Sequence, residues 1–487
     1  MTTNINRPTR AKQFEDRLEK VESLLKLPVA VLERMAQQTG MMNGLTHTPE
    51  STSNESDVSM MDSNLSQQGI DGATQSMKNI AIASWAKDGQ GADRHTVAPL
   101  DQPIQESDNS TDMTDAGSAL RKVNSSDNSD LPRIFRPLPP KDEAISLLGL
   151  YFARFNSVFP LHHQQSFMQL VQTRYSAEYD GDVGWWSNLN MALAHGCRIR
   201  TLFSQTATED DEDSWGYLEN ALSVVPFLAV RTPSLSSIQA LLGIAIFLQA
   251  TPVPRSYSLL VANAIRLGHS IGLHRQESYH NGMPMAEIEQ RKRVFWLCYI
   301  LDRDISMRSG QPPVQHDDDI DVDLPCDSLS EGVGYIFLAD GLWPVNFLRL
   351  RIQLAVIQGA IYRELYSAKA TKQSDDRRAV VVRELDEKLK QWKNSTSIEF
   401  HPDFLKQKLQ EPFDILHIII LHFTYFNCLI LIHRSSFQNM SWKTRAPNSI
   451  EPFNPRNFSS KPVVIETARS ALNLLRLTPV SNYSCIW

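Results

Sequence analysis

From Lys141 onward the apolar residues of this 487-residue chain recur every three or four positions, the spacing that lines up one face of an α-helix. Ala144, Leu147, Leu148, Tyr151, Phe152 and Phe155 make the first such stripe. The same periodicity predicts helices near 163–174, 185–202, 215–228, 235–249, 256–271, 286–308, 345–367, 376–393, 411–434 and 462–476. Pro233 with Ser234 and Ser236 marks a helix start, and Pro252 and Pro254 close that helix. Loops are expected around 205–214, 275–285, 309–340 and 435–460, and no set of alternating β-branched strands with hairpin turns is found. The predicted class is all-α, a multi-helix domain.

Upstream the pattern changes twice. Phe14, Leu18, Val21 and Leu25 are spaced four, three, four, with Glu15, Arg17, Glu19, Lys20 and Glu22 on the other faces. This is the a/d spacing of a coiled-coil seam, over fewer heptads than a firm coiled coil needs, so a solvated surface helix fits equally well. From about Thr39 to Asp130 the chain is rich in Ser, Asn, Gln, Asp and Gly with few aromatic residues. Such a segment buries too little apolar surface to offset its conformational entropy and is read as a disordered linker. Pro132, Pro137, Pro139 and Pro140 punctuate the approach to the helical region. The division is therefore 1–38, a basic linker and short helix; 39–140, a disordered linker; 141–370, the main helical domain; and 371–487, a helical continuation.

Composition narrows the function. Net charge is −7 and no broad basic patch is visible, which argues against unaided DNA binding, since neutralised phosphates supply most non-specific affinity. Five dispersed cysteines, Cys197, Cys298, Cys326, Cys428 and Cys485, fit neither a disulfide framework nor a clustered metal site. Cys298 and Cys428 lie in apolar runs and read as buried, inert thiols. The apolar run Ile415–Ile432 nears membrane-spanning length, but His417, His422, Thr424 and Asn427 interrupt it, and a core helix is the better reading.

Chemical motifs are sparse. An EF-hand loop begun at Asp319 would need Gly at Leu324 and Glu at Ser330, so the acidic run His316–Asp323 is read as a loop that pairs with nearby arginines. His417 and His422 are five apart and fall on different faces of a helix. Neither a GxSxG elbow, a Walker loop nor an HExxH pair is present, and the chain is read as not an enzyme, without catalytic, cofactor or metal residues. Asp302 and Arg303 end an apolar segment and must find buried partners. Trp296, Tyr299, His274 and Arg303 are the residues that would line a pocket if the chain were instead a helical ligand-binding or catalytic accessory protein.

Several segments, in order, resemble the middle homology region of fungal zinc-cluster transcription factors. Tyr151, Phe152, Phe155, Phe159, Pro160, His162 and Phe167 resemble its "YF..F....P..H...F" opening; Ala262, Ala264, Leu267, Gly268, Gly272, Leu273, His274 and Arg275 its "A...A..LGLHR" segment. Arg291, Arg293, Phe295, Trp296, Leu301, Asp302, Arg303, Ser306, Gly310, Pro312, Asp319, Asp321, Leu324 and Pro325 resemble its "R.R.FW....LDR..S...G.P......D.D..LP" run. The resemblance implies a nuclear regulator of one metabolic or secondary-metabolite pathway, responsive to a small-molecule inducer and paired as a homo- or heterodimer through Phe14, Leu18, Val21 and Leu25, with no membrane partner. His274, Arg275, Arg293, Trp296, Asp302, Arg303, Gly310 and Pro312 are the signature residues, expected to be structural. The family's zinc cluster packs six cysteines into about thirty residues, and none is present here. Zinc and direct DNA contact are therefore expected only from an upstream segment or a partner. The family's helical region commonly continues further, so a short C-terminus is also expected.

Overall fold

The computed structural model describes residues 132–475, apart from 177–178, 204–206, 250–253, 280–281, 328–331, 338–343, 397–411 and 438–455. The seam Phe14, Leu18, Val21 and Leu25 and the 39–130 linker lie outside the described residues. The elements run α1 (Lys141–Leu150), a π-helical turn (Tyr151–Asn156), α2 (Gln164–Arg174), α3 (Val183–Phe203), α4 (Ala207–Leu222), α5 (Val225–Val230), α6 (Leu235–Gln249), α7 (Pro254–Ser270) and α8 (Met285–Ser309). After a long strap come β1 (Tyr335–Phe337), β2 (Pro344–Asn346), α9 (Phe347–Ile361), a second π-helical turn (Tyr362–Tyr366), α10 (Asp375–Ser395), α11 (Pro412–Arg434) and α12 (Arg456–Leu475).

The all-α class holds, and the departures from the sequence reading are local. The expected loop 205–214 is mostly α4, because an acidic run that looks like solvated loop also suits the positive N-terminal end of a helix. The helix expected over 215–228 is two, α4 and α5, parted at Ser223–Val224 ahead of Pro226. The expected loop 309–340 holds β1, which pairs antiparallel with β2 through Ile336 opposite Val345. That hairpin is too short for a periodicity of two to register. Short 3-10 turns occupy Gln276–Ser278, Asp317–Asp319 and Ser435–Phe437. α12 begins at Arg456, inside the expected loop 435–460 and ahead of Pro462. α8 starts at Met285, so the cationic run Arg291–Arg293 lies beyond its first turn.

Two apolar cores result. The first is built by α1–α8 and includes Tyr151, Leu189, Leu241, Phe247, Leu260 and Trp296. The second gathers Met307, Ile336, Val345, Trp392, Ile418, Phe426, Ile432 and Leu474 from the end of α8, the hairpin and α9–α12. α9 serves both: Leu348, Ile352 and Ala355, at i, i+4, i+7, face the first, and Phe347, Leu354 and Ile361, at i, i+7, i+14, the second, two faces of one helix. α11 is apolar and long enough to cross a membrane, with mean hydropathy 2.1 over Asp414–Arg434. Its Ile418, Ile419, Leu421, Cys428 and Ile432 are buried in the second core, against α9 and α10.

Candidate functional site

Two polar constructions stand out from these cores. The first is made by three consecutive charged residues near the end of α8. Asp302, Arg303 and Asp304 are each no more than 3% exposed, a placement that costs heavily unless every charge is paired and hydrogen-bonded. Asp302 and Arg303 tie α8 to the strap that follows it, and Asp304 ties it to α9.

Asp302 Oδ1 accepts from Val314 N at 3.0 Å and its Oδ2 from Gln315 N at 3.1 Å and Arg303 Nη1 at 2.8 Å. Arg303 Nη2 donates to Gln315 O at 2.9 Å and Asp317 Oδ1 at 2.5 Å, with its guanidinium 4.2 Å over the Tyr299 ring. Tyr299 OH and Arg363 Nη1 also donate to Asp317, at 2.8 and 2.9 Å. Asp304 points the other way, accepting from Arg351 Nη2 at 2.5 Å and Gln358 Nε2 at 3.0 Å on α9. Arg351 Nη1 continues to Thr424 Oγ1 on α11 at 2.8 Å.

Burial pushes the Asp302 carboxyl above its ordinary range, against the backbone N–H groups and Arg303 that oppose it. Burial also works to raise Asp317, yet Arg303, then Tyr299 and Arg363, hold it below the ordinary range.

The strap after α8 follows from this network. Gly310 closes α8 in the left-handed region at φ 71°, a conformation that suits glycine, and Ser306 Oγ donates to Gln311 O. Exposed Pro312 follows. Further along, Trp296 Nε1 donates to Asp323 O at 3.0 Å, Asp321 N to His274 O, and Gln276 N to Asp321 Oδ1. Arg275 lies at the surface, 3.8 Å from Glu277 and 4.0 Å from Asp321. Lys292 lies 3.8 Å from Asp323, and Arg293 is buried. Asp317, Asp321 and Asp323 of the acidic run are thus met by cationic or backbone partners. Among the described residues, no group of three or more His, Cys, Asp or Glu side chains is arranged to hold a metal.

The space beside Tyr299, Cys298, His269 and Gln315 is only about 10 Å³, room for about one water. Trp296, His274 and Arg303 do not line it. Burial pushes the Cys298 and Cys428 thiols well above their usual range, which keeps both uncharged and unreactive.

The second construction is a cleft of about 380 Å³ on the first core, within the range of about 300–1,000 Å³ usual for small-molecule sites. Its floor is formed by His162, Asn188, Gln239 and Gln290, and the two glutamines reach past it to the irregular segment Phe159–His162. Buried backbone carbonyls outside regular structure must find donors, and here two glutamines supply them. Gln239 of α6 donates to Leu161 O at 2.5 Å; Gln290 of α8 donates to Pro160 O at 2.9 Å and Leu161 O at 2.7 Å. Asn156 brackets His162 through both its backbone N–H and C=O, each at 2.9 Å.

The His162 ring is equally tied down. Asn188 Nδ2 donates to the carbonyls of Gly184 and Ser236, so its Oδ1 is the acceptor for His162 Nε2 at 2.9 Å. That leaves His162 Nδ1 to accept from Tyr151 OH at 2.7 Å. Burial holds this imidazole neutral, its pKa lowered to about 4. Phe167 and Trp185, with ring centroids 5.2 Å apart, form an aromatic wall.

Motif matching had pointed to His162 and Phe167. It gave no role to Asn188, Gln239 or Gln290, whose signal is a polar side chain on an otherwise apolar helix face. Asp304 and Arg351 were missed for the same reason.

The sequence model of the fungal-specific transcription factor domain matches residues 148–394, which takes in the cleft and all of the charged cluster but Thr424. An ABC-transporter-regulating transcription factor of Aspergillus fumigatus is 44% identical over 362 residues, 73% of this chain and 40% of its own length. A fusaridione A cluster transcription factor of Fusarium heterosporum is 37% identical over 62% of this chain and 56% of its own. Activator of stress genes 1 of Saccharomyces cerevisiae is 24% identical over 70% of this chain and 35% of its own length. The chain thus spans about two fifths of the length of the ABC-transporter-regulating relatives it matches. No solved structure matches.

Proposed function

Because the chain belongs to the fungal-specific transcription factor domain family, we propose that it regulates transcription in the nucleus, and that its helical body is the part that receives a signal rather than the part that reads DNA. The observation that carries this reading is the coincidence of the family match, residues 148–394, with the helical body that encloses both polar constructions. The relatives named for an ABC transporter and for a fusaridione cluster support efflux or secondary-metabolite genes as the targets. The acidic balance and dispersed cysteines support a reading in which DNA contact is made by a zinc-bearing segment outside these 487 residues or by a partner chain. Dimerisation falls to Phe14, Leu18, Val21 and Leu25. The names of the relatives are those of regulators, and the reading includes no catalysis.

The test is to delete the coding sequence and compare transcripts with the parent strain, alongside chromatin immunoprecipitation of the tagged native protein. Loss or gain of one clustered gene set, with the tagged protein at its promoters, is the expected result. An unchanged transcriptome together with absence from chromatin would refute the regulatory role.

A further inference from the structure

α12 packs on α11. On the packed side Ser460, Thr467 and Leu474 are buried, with Ser460 bonded to His433 of α11 at 3.1 Å. A second side, open to solvent, is also apolar. Ile465 is 51% and Leu472 63% exposed, Ala468 is exposed between them, and Val464 and Ala471 lie partly buried along one edge. Every other described helix that exposes a large apolar side chain exposes one alone, which is ordinary for a protein surface. Ile465, Ala468 and Leu472 take positions a, d and a of a heptad, and Leu475 follows at d. Val464 and Ala471 then fall at g and the exposed Arg469 at e, with Arg476 at the next e in the sequence.

The seam of Phe14, Leu18, Val21 and Leu25 complements this stripe. Its residues follow d, a, d, a, with Glu15 and Glu22 at e and Arg17 and Leu24 at g. When two such helices run antiparallel, e faces e and g faces g, and the charges at those positions choose the partner. Setting Phe14 against Leu472, Leu18 against Ala468 and Val21 against Ile465 then brings Glu22 to Arg469, Glu15 to Arg476 and Leu24 to Val464. One register gives every one of these pairs. Run parallel with Leu18 against Ile465, e faces g instead, which sets Glu22 against Val464 and Arg17 against Arg469. Residues 26–131 separate the seam from the described body. About a hundred residues fully extended reach on the order of 300 Å, so length bars no face of the body.

We propose that the amphipathic segment Phe14–Leu25 docks antiparallel on the exposed stripe of α12 in the same chain. So short a segment gains little as a lone helix, because helix nucleation is costly, and α12 supplies a preformed partner. Where this seam also joins two chains, α12 and the second chain compete for it. The docking itself does not depend on the regulatory reading.

The test is disulfide trapping in the purified full chain carrying Cys326→Ser and Cys485→Ser. Phe14→Cys with Leu472→Cys should link within one chain, read as monomer migration without reductant and a cross-linked peptide by mass spectrometry. Phe14→Cys with Ile465→Cys should not link, since Ile465 lies about 10 Å along the helix from Leu472, beyond the reach of a disulfide. Arg469→Glu should slow the first link about two- to fivefold, the size of an exposed ion pair, and adding Glu22→Arg should restore it. Ile465, Arg469 and Leu472 are exposed, so these variants should melt with the parent.

No link in the first pair, a link formed only between two chains, equal linking of both pairs, or no restoration by Glu22→Arg would overturn the proposal.

Discussion

The cleft floor and the Asp302–Asp304 cluster bury polar groups to the same degree by opposite means. Around the cleft every buried partner is neutral: two glutamines, two asparagines, a tyrosine and an imidazole held uncharged. At the end of α8 the partners are ionised, Asp302 and Asp317 with Arg303, Asp304 with Arg351. Neutral bonds are individually modest and cost little when one of two donors is removed. A buried ion pair broken on one side leaves a charge with nowhere to go. The ionised cluster therefore pins an element, the strap from Gly310 to Pro325, whereas the neutral floor frames a cavity without closing it.

That contrast can be broken most forcefully at Arg303. Arg303→Ala leaves Asp302 and Asp317 facing each other without their shared cation. It should cost about 3–5 kcal/mol, the range for removing one partner of a buried pair, read as a lowered melting temperature and new proteolytic cleavage within 310–325. An unchanged melting temperature would refute a structural role for the cluster.

The neutral side should respond to acid. The folded-state pKa of His162, lowered to about 4 from an ordinary 6.5, means the unfolded chain binds the proton more readily between those values. Its contribution to stability is complete above about pH 6.5 and is lost as pH falls toward 4, about 3 kcal/mol at roughly 1.4 kcal/mol per pKa unit. Denaturant titrations from pH 7 to 4 should show this loss, with a shallower slope in His162→Gln. His195 and His417, whose pKa values burial lowers to about 3, add loss of the same sign. Asp317 contributes at still lower pH, where protonation removes the stability gained from its depressed pKa.

A smaller effect is expected at Gly359, which lets α9 approach the cluster. A Cβ there would lie 2.9 Å from Arg303 Nε and 3.1 Å from Asp317 Oδ2, so Gly359→Ala should cost about 1–3 kcal/mol through overpacking, measured by chemical denaturation. The smallest change is Gln239→Leu, since Leu161 O keeps its bond from Gln290. About 1 kcal/mol is expected, and a loss as large as that of Arg303→Ala would show that the floor, too, depends on a single irreplaceable contact.

Much of this was legible along the chain. Leu235–Gln249 was placed to the residue because Pro233 and Ser234 stand before it, with Ser234 Oγ accepting from Ser237 N at 3.1 Å, and capping is a local signal. The need of Asp302 and Arg303 for partners followed from charge in an apolar setting, and of the acidic run it is chiefly Asp317 that meets arginines, Arg303 and Arg363. The cleft was not legible. Ser166, Trp185, Ser236 and Ala286, which line it from the first turns of α2, α3, α6 and α8, are up to 120 residues apart in sequence, and nothing local says that four helices begin at one place.

Local interactions determined which stretches became helices, where caps and prolines ended them, and which charges could not stay alone, because those properties act over one or two turns. The tertiary packing alone decided that α9 serves two cores, that Asp304 finds Arg351 while Asp302 finds the strap, and that glutamines of α6 and α8 meet over Leu161. Those partners are chosen by which helix faces come together in three dimensions, a choice that no spacing along the chain records.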